Sequence, residues 1–440
     1  MFKKLLSFAL VIVTVLSCAV IFASCGDKDG GKTGPKDTLK VGAILVGDET
    51  EGYTLAHMNG IDAAIKAIKE KTGKTVEIVY KKKIGENEAC AESAEALIAD
   101  DCTLIISNSY GHQDFIKPVA DKYPKISFVA MTGDFAAICG ASNMHNAFTN
   151  VYESRYVSGV VAGMKLKDMI EKNEILDSNK KDGKIKIGYV GAYPYAEVVS
   201  GYTAFFLGIQ SIVPEVTMEV VYTDSWFSEA LEGQAAEYLM SQGCVIIGQH
   251  ADSTGAPSAV QKARESGKYT NVYSVGYNVD MLTAAKDVAL TSAANNWEVY
   301  YEFLFTQMLA GKEIPTDWAA GYAQNAVAIT ALGTACAEGT QAKVDEVVKA
   351  IKDGSLKVFD VSKFTVGGKQ ITEENAKIDL SYKVFTGDTP KLVYQGETKN
   401  ALVTENGVTY FSESTLRAAP YFAIRIDGIV ENTDKSFKKD

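Results

Sequence analysis

Leu39-Lys40-Val41-Gly42-Ala43-Ile44-Leu45-Val46 is a short apolar run interrupted by one lysine. Residues 55–71 follow, and there Ala56, Ile61, Ala64, Ile65 and Ile68 recur at helical spacing. A second apolar run, residues 76–80, comes next. Strand, one-faced helix and strand in that order predict a βαβ unit and hence a parallel sheet. The pattern continues outward. Further strands are predicted over 104–107 and 126–131, with helices over 88–100 and 113–121. A second series begins after Thr149-Asn150. It has a helix over 156–170, a polar loop over 172–183, strands over 185–190, 217–222, 245–248 and 272–275, and helices over 196–212, 229–241 and 256–266. A strand over 288–292 and helices over 297–309 and 344–352 follow. From about residue 358 the texture turns to Thr/Val/Tyr alternation with Gly367-Gly368 and Asn406-Gly407, which predicts antiparallel hairpins.

The expected fold class is therefore α/β, with two doubly wound lobes and a β-rich C-terminal extension. The expected boundaries are 37–150 plus about 282–320 for the first lobe, 151–281 plus about 321–357 for the second, and 358–440 for the extension.

The chain has 440 residues, 47% of them hydrophobic, and a net charge of −11. That supplies two real cores. The body has no basic stripe, so no nucleic-acid partner is expected. Ahead of the body, Met1-Phe2-Lys3-Lys4 and an apolar run from Phe8 to Phe22 lead to Ala23-Ser24-Cys25, the form of a signal peptide over 1–24. A polar, glycine-rich tether over 25–36 follows. A cysteine at that junction looks like a bacterial lipoprotein site, with Cys25 as the lipidated residue. Cys18 is the weaker alternative, and an ordinary cleaved signal peptide the other reading. A lipid anchor of several acyl chains would then hold the body outside the cell membrane. Gly26-Asp27-Lys28-Asp29-Gly30-Gly31-Lys32-Thr33 spells a phosphate loop, but no buried strand precedes it and Gly34-Pro35 stands where its helix should start. The scattered cysteines form no C-x-x-C pair and read as buried thiols. No metal-ligand spacing appears among the histidines.

In doubly wound sheets, ligands sit beyond the carboxyl ends of the strands. Those tips carry Tyr53, Asn108 and Tyr110 in the first half. In the second half they carry Tyr193, Trp226, Gln249, Asp252 and Asp280. Rings for stacking, interleaved with carboxylates and amides and without an arginine, suit a flat, neutral, hydrogen-bonding ligand. Asp252 and Asp280 fit helix caps as well as ligand contacts. Arg155, at the head of the second series, is read as an interlobe salt-bridge residue.

Glu153-Ser154-Arg155-Tyr156-Val157-Ser158-Gly159-Val160-Val161-Ala162-Gly163 and Ile187-Gly188-Tyr189-Val190-Gly191-Ala192-Tyr193-Pro194 lead into a further set of segments. These are Ala204–Ile209 with Val213-Pro214-Glu215, Asp224-Ser225-Trp226, Gln249–Ser253 and Gly276–Met281. In that order and spacing the chain resembles the basic membrane protein family of bacterial substrate-binding lipoproteins. These are relatives of the purine nucleoside receptors of ABC importers, and the resemblance covers roughly residues 39–321. It implies two Rossmann-like lobes of the type I periplasmic-binding-protein architecture. It also implies a purine nucleoside or nucleobase in the interlobe cleft, and delivery to an ABC permease and its ATPase by a monomeric, extracytoplasmic, lipid-anchored protein. One branch of the family has D-x-G-W-T-Y-x-H after the first strand. This chain keeps Gly52, Thr54 and His57, with Tyr53 at the Trp position and Thr50 at the Asp position. No catalytic residues and no cofactor are expected. The alternatives are an extracytoplasmic nucleoside hydrolase, which would need an acid/base pair, and a ligand-sensing lipoprotein that feeds no permease.

Overall fold

The computed structural model describes residues 34–386, 389–433 and 437–438. The leader, Cys25 and residues 25–33 of the tether lie outside them. The first lobe is built from β1 (Thr38–Ile44), α1 (Gly52–Thr72), β2 (Thr75–Lys81), α2 (Glu88–Ala99), β3 (Leu104–Ser107), α3 (His112–Lys122), β4 (Ser127–Met131) and β5 (Met144–Thr149). The chain then crosses to the second lobe through α4 (Val151–Glu171), β6 (Lys180–Lys181), β7 (Lys184–Gly191), α5 (Ala196–Gln210), β8 (Val216–Tyr222), α6 (Glu229–Ser241), β9 (Ile246–Gln249), α7 (Gly255–Glu265), β10 (Tyr273–Tyr277) and β11 (Ala289–Asn295). It returns for α8 (Trp297–Leu309) and β12 (Asp317–Ala320), then crosses again to β13 (Val327–Ile329) and α9 (Thr340–Lys352). Sheet orders are β12-β5-β4-β3-β1-β2 and β13-β11-β10-β9-β7-β8, parallel except at β13. The parallel strands of each sheet therefore end on one face, where ligands bind in sheets of this kind.

Two differences from the sequence reading have physical causes. The return to the first lobe comes at Asn295-Asn296, not near residue 282, because β11 pairs in parallel with β10 and so stays in the second sheet. Strand β5 was not expected at all. Its sequence, Met-His-Asn-Ala-Phe-Thr, lacks apolar alternation, yet every residue is buried. Three of its polar side chains find partners: His145 Nδ1 lies 3.0 Å from Pro315 O, Asn146 Nδ2 donates to Asp317, and Thr149 donates to Asn295, while Asn146 Oδ1 has no protein partner.

In the second lobe α4 and α5 touch backbone to backbone. A Cβ at Gly159 would run into Phe205 O, and one at Gly208 into Tyr156 O. Around this contact Val157, Val160, Tyr202, Phe205 and Phe206 are all buried. In the first lobe Gly60 lets α1 lie on Trp297 of α8. His57 sits in that seam, stacked on Trp297 at 4.4 Å with Nδ1 2.6 Å from Tyr301 Oη. Burial pushes its pKa down to about 3, so it is a neutral packing residue here. The cysteines of the described residues are free thiols, four of the five buried.

The extension is docked on both lobes. Its strands are β14 (Lys377–Asp379), β15 (Tyr382–Thr386), β16 (Thr389–Tyr394), β17 (Thr398–Asn400), β18 (Leu402–Glu405), β19 (Val408–Phe411) and β20 (Ile429–Asn432). The β18–β19 hairpin turns at Asn406-Gly407, where both residues have positive φ. Strand β20 adds to the second sheet, parallel to β8. Glu431 there accepts from the hydroxyls of Tyr202 and Tyr222 at 2.6 and 2.5 Å.

Candidate functional site

A cavity of about 440 Å³ lies between the lobes. From the first lobe it is lined by Asp48, Glu51, Tyr53, Glu86, Asn108, Tyr110 and Thr132, and from the second by Glu197, Trp226, Phe227, His250, Asp252 and Tyr277.

The first-lobe wall is held by the β1 and β3 tips. Asn108 Oδ1 accepts from Val46 N at 2.8 Å, and its Nδ2 donates to Thr54 Oγ1 at 3.2 Å. Both ends of this amide therefore fix the loop. Tyr53 donates its hydroxyl to Asn108 O. Glu51 caps α1 by accepting from Thr54 N at 3.1 Å. Asp48 pairs with Lys83 at 2.6 Å, and the hydrogen bond from Lys83, then those from Thr50, hold its pKa well below the usual carboxylate range. Glu86 is tied up by Ser109 and Gly111.

The second-lobe wall is aromatic. Trp226 packs edge-on against Tyr193 at 5.2 Å, and Tyr193 stacks on Tyr195 at the same distance. Tyr195 and Phe227 stay 45% and 41% exposed at the mouth, so a ring-lined lip meets solvent. Behind it Arg155 lies over the Tyr277 ring at 3.5 Å, donates to Gln249 O at 2.6 Å and lies 3.2 Å from His250 Nδ1. His250 Nε2 is in turn 3.1 Å from Glu197. With Arg155 donating to Nδ1, His250 is neutral and carries its proton on Nε2. Burial first, and the Arg155 charge second, lower its pKa. Arg155 thus bonds within its own lobe, and the expected interlobe salt bridge is absent among the described residues.

The two lobes meet at Gly52, where a Cβ would come 3.2 Å from Asp252 O. Asp252 accepts from Asn278 Nδ2 at 2.7 Å. Burial raises its pKa far above the usual range, with the Glu51, Glu232 and Glu197 charges adding to the shift. Burial likewise raises Glu51. A ligand that donates hydrogen bonds stabilises such carboxyls as anions, and one that accepts stabilises them as acids. Thr132, Asp224 and Asn278 turn the β4, β8 and β10 tips with φ of 64°, 56° and 62°. Asp and Asn tolerate this region, but a β-branched Thr there is strained.

Of the eight residues singled out in the sequence, Tyr53, Asn108, Tyr110, Trp226 and Asp252 line the cavity. Three do not. Gln249 is turned away, its Nε2 donating to Ala251 O and Ser253 O at 2.7 and 2.8 Å to brace the tip. Asp280 is exposed and accepts from Leu282 N within a turn; no helix begins there, so it is neither a cavity residue nor the expected helix cap. Tyr193 supports Trp226 from behind. Glu51, Glu197 and Tyr277 were missed. Glu197 lies in the first turn of α5, two residues beyond the aromatic tip, and that closeness to a strand end was the available signal.

A profile of the family described as ABC transporter substrate-binding protein PnrA-like matches residues 57–361. The chain belongs to this family. A purine-binding protein of Brucella abortus is 33% identical over 64% of this chain and 72% of its own length. A putative ABC transporter glucose-binding protein of Haloferax volcanii is 29% identical over 62% of each. Among solved structures, ABC transporter solute-binding proteins share the fold. The Aeropyrum pernix protein has a TM-score of 0.58 at 14% identity, covering 73% of this chain and 93% of its own. The Conexibacter woesei protein has 0.55 at 19%, covering 72% and 98%. This PnrA-like protein is therefore an ABC transporter substrate-binding protein, and the Brucella and Haloferax relatives are likewise named as binding proteins. The described residues include no helix long and apolar enough to cross a membrane.

Proposed function

We propose that this protein captures a purine nucleoside or nucleobase in the interlobe cleft, outside the cytoplasmic membrane and anchored through a lipid on Cys25. It then hands its ligand to an ABC permease driven by an ATPase. One observation carries the reading: Tyr53, Tyr110, Trp226 and Tyr277 supply ring surfaces in the same cavity as the carboxyls of Glu51, Glu197 and Asp252. Ring faces pack on a heterocycle, and carboxyls accept from ring N–H groups and ribose hydroxyls. The nearby cations are already engaged, Lys83 with Asp48 and Arg155 with Gln249 and His250. A phosphate would therefore find no clamp, and nucleosides are favoured over nucleotides. The 33% identity to a purine-binding protein supports the same class.

The test is a thermal-shift panel of inosine, guanosine, adenine, uridine, glucose, glutamate and AMP, with the mixtures assayed for released base and ribose. Purines at a hundredfold excess over Kd should stabilise the fold by about 2.7 kcal/mol with no product formed. Stabilisation by glucose alone would replace the purine reading with the sugar named for the Haloferax relative, whose hydroxyls the same carboxyls would accept. Release of free base would convert it to the hydrolase. Uptake by cells lacking the protein separates a transporter component from a sensor.

A further inference from the structure

The extension begins on the second lobe and twice reaches the first. The β15–β16 hairpin is one finger. Tyr382 is buried against Phe135, ring centroids 4.7 Å apart, and donates to Asp114 at 2.6 Å. Tyr394 packs on the same Phe135 at 5.1 Å. The other finger is a loop over 412–422, largely buried although it has no regular structure. Its second-lobe root is Glu413, a buried carboxylate that accepts from Ser200 Oγ, Tyr421 N, Phe422 N and Ser414 N. Its tip crosses to the first lobe. Ala418 N donates to Asp317 at 3.1 Å, and Arg417 pairs with Asp134 at 3.2 Å, their side chains 15% and 10% exposed. Ala418 and Ala419 fill a small cluster with Phe148, Val151, Tyr277 and Ala293, beside two of the crossovers.

Asp134 Oδ2, the oxygen that faces Arg417, also accepts from the hydroxyl of Tyr110, at 3.3 Å. Asp134 Oδ1 accepts from Gln113 Nε2, and Asp134 N donates to Gln113 Oε1. The carboxylate is therefore fixed to α3 at one oxygen and shared at the other between a cavity-lining ring and the extension. We propose that the C-terminal extension is an interlobe clasp and that Arg417 is its positioning residue, setting Tyr110 in the cleft through Asp134. Arg417 touches no ligand position itself. It neutralises Asp134, so that the carboxylate keeps one orientation and holds the phenol. Lys438 makes a matching contact in the second lobe, 2.8 Å from Asp224 at the base of the Trp226 loop. A chain whose hinge is its three crossovers alone would let Tyr110 and Trp226 separate freely; here the extension ties the two walls.

Only the ligand arm of the test rests on the purine reading. The first arm is hydrogen–deuterium exchange on the full chain in detergent without ligand, comparing wild type, Arg417→Ala, Arg417→Lys, Tyr110→Phe and the Arg417→Ala/Tyr110→Phe pair. Arg417→Ala should speed exchange of amides 108–113 about tenfold, with Arg417→Lys intermediate. In the Tyr110→Phe background the same change should have less than half that effect, because the path through the hydroxyl is already gone. Equal effects in both backgrounds, or faster exchange confined to 412–422, would mean mere structural support and overturn the proposal. If Arg417→Ala does not fold, Arg417→Lys with and without Tyr110→Phe gives the same comparison. In the second arm Arg417→Ala should weaken inosine binding about tenfold. If wild type binds no inosine while the exchange coupling is present, the purine reading fails and the clasp stands.

Discussion

Asn278 donates its amide to the Asp252 carboxyl at 2.7 Å, and it does so from a backbone held at φ 62°. Its Oδ1 accepts in turn from Asn295 at the second crossover, and Asn295 Oδ1 accepts from Thr149 at the first. A chain of hydrogen bonds thus runs from two crossover segments to a carboxyl in the cleft.

Removing that amide should weaken ligand binding without unfolding the protein. Asn278→Gly keeps the left-handed backbone at no steric cost and leaves Asp252 short of a donor. Without that bond the ligand must itself order the carboxyl, at about 0.5–1.5 kcal/mol, so calorimetry should show Kd rising up to about tenfold. Asn278→Ala should lose the same affinity and also melt at a lower temperature than the glycine variant, because alanine is strained at positive φ. Equal affinity for Asn278→Gly and wild type would remove Asp252 from the site.

Trp226 has rings on three sides, Tyr193, Tyr195 and His250, at 5.2, 6.0 and 6.3 Å. It faces the cavity while remaining only partly buried. Central aromatic anchors carry about 2 kcal/mol or more of binding free energy, so Trp226→Ala should raise Kd roughly thirtyfold. The unliganded melting temperature should move little beside that. Thermal shift with and without inosine separates the two effects, and an undiminished ligand shift would exclude Trp226 from the contact.

The alternating apolar runs made the two sheets legible, because parallel strands buried on both faces read as uninterrupted Val, Ile and Leu. Met144–Thr149 escaped because its buried His, Asn and Thr side chains bond to partners up to 171 residues away, such as Asp317 for the Asn146 amide N–H. The pairing of β20 with β8 is equally invisible: Ile429 aligns with Met218 across the length of a whole lobe. At the site, composition identified the tips but not where side chains point. Gln249 and Asp280 have the right chemistry and spend it on their own backbone. Glu197 was hidden because a helix's first turn counts as helix in a periodicity reading, although it projects into the same cleft.

Two buried glutamates make stability depend on pH. Burial pushes Glu232, beneath the Ser253 tip, and Glu153, bonded to Tyr322 N at the third crossover, each up to about 7. Their unfolded values are near 4.3. In that interval the folded protein holds more protons than the unfolded chain, so stability is fully present below the interval and falls as pH rises through it. Each site accounts for about 3–4 kcal/mol of that loss. Glu232→Gln retains an acceptor for the Ser228 and Ser253 amides and removes the titration. Urea midpoints measured from pH 4.5 to 8 should decline less steeply for the variant than for wild type. Parallel slopes would show that Glu232 ionises normally.

Gly159→Ala sets two effects of opposite sign against each other. In an exposed helix the change would stabilise by about 1 kcal/mol, since alanine has the better helix propensity. Gly159 is instead buried in α4, where a Cβ would meet the Phe205 carbonyl and the Gly208 Cα of α5. Those neighbours are backbone atoms and cannot rotate aside. The helices must part, which loosens the packing of Val160, Phe205 and Phe206 around the contact. Overpacking of this kind costs about 1–3 kcal/mol, so it wins over propensity and the net change is destabilising. Gly208→Ala should behave alike against Tyr156 O, and the double variant should lose less than the sum, because once the helices have separated the second methyl enters an opened seam. Urea unfolding of the two single variants and the double variant reads all three values. A stabilised Gly159→Ala would show that α4 and α5 stand further apart than this close backbone contact requires.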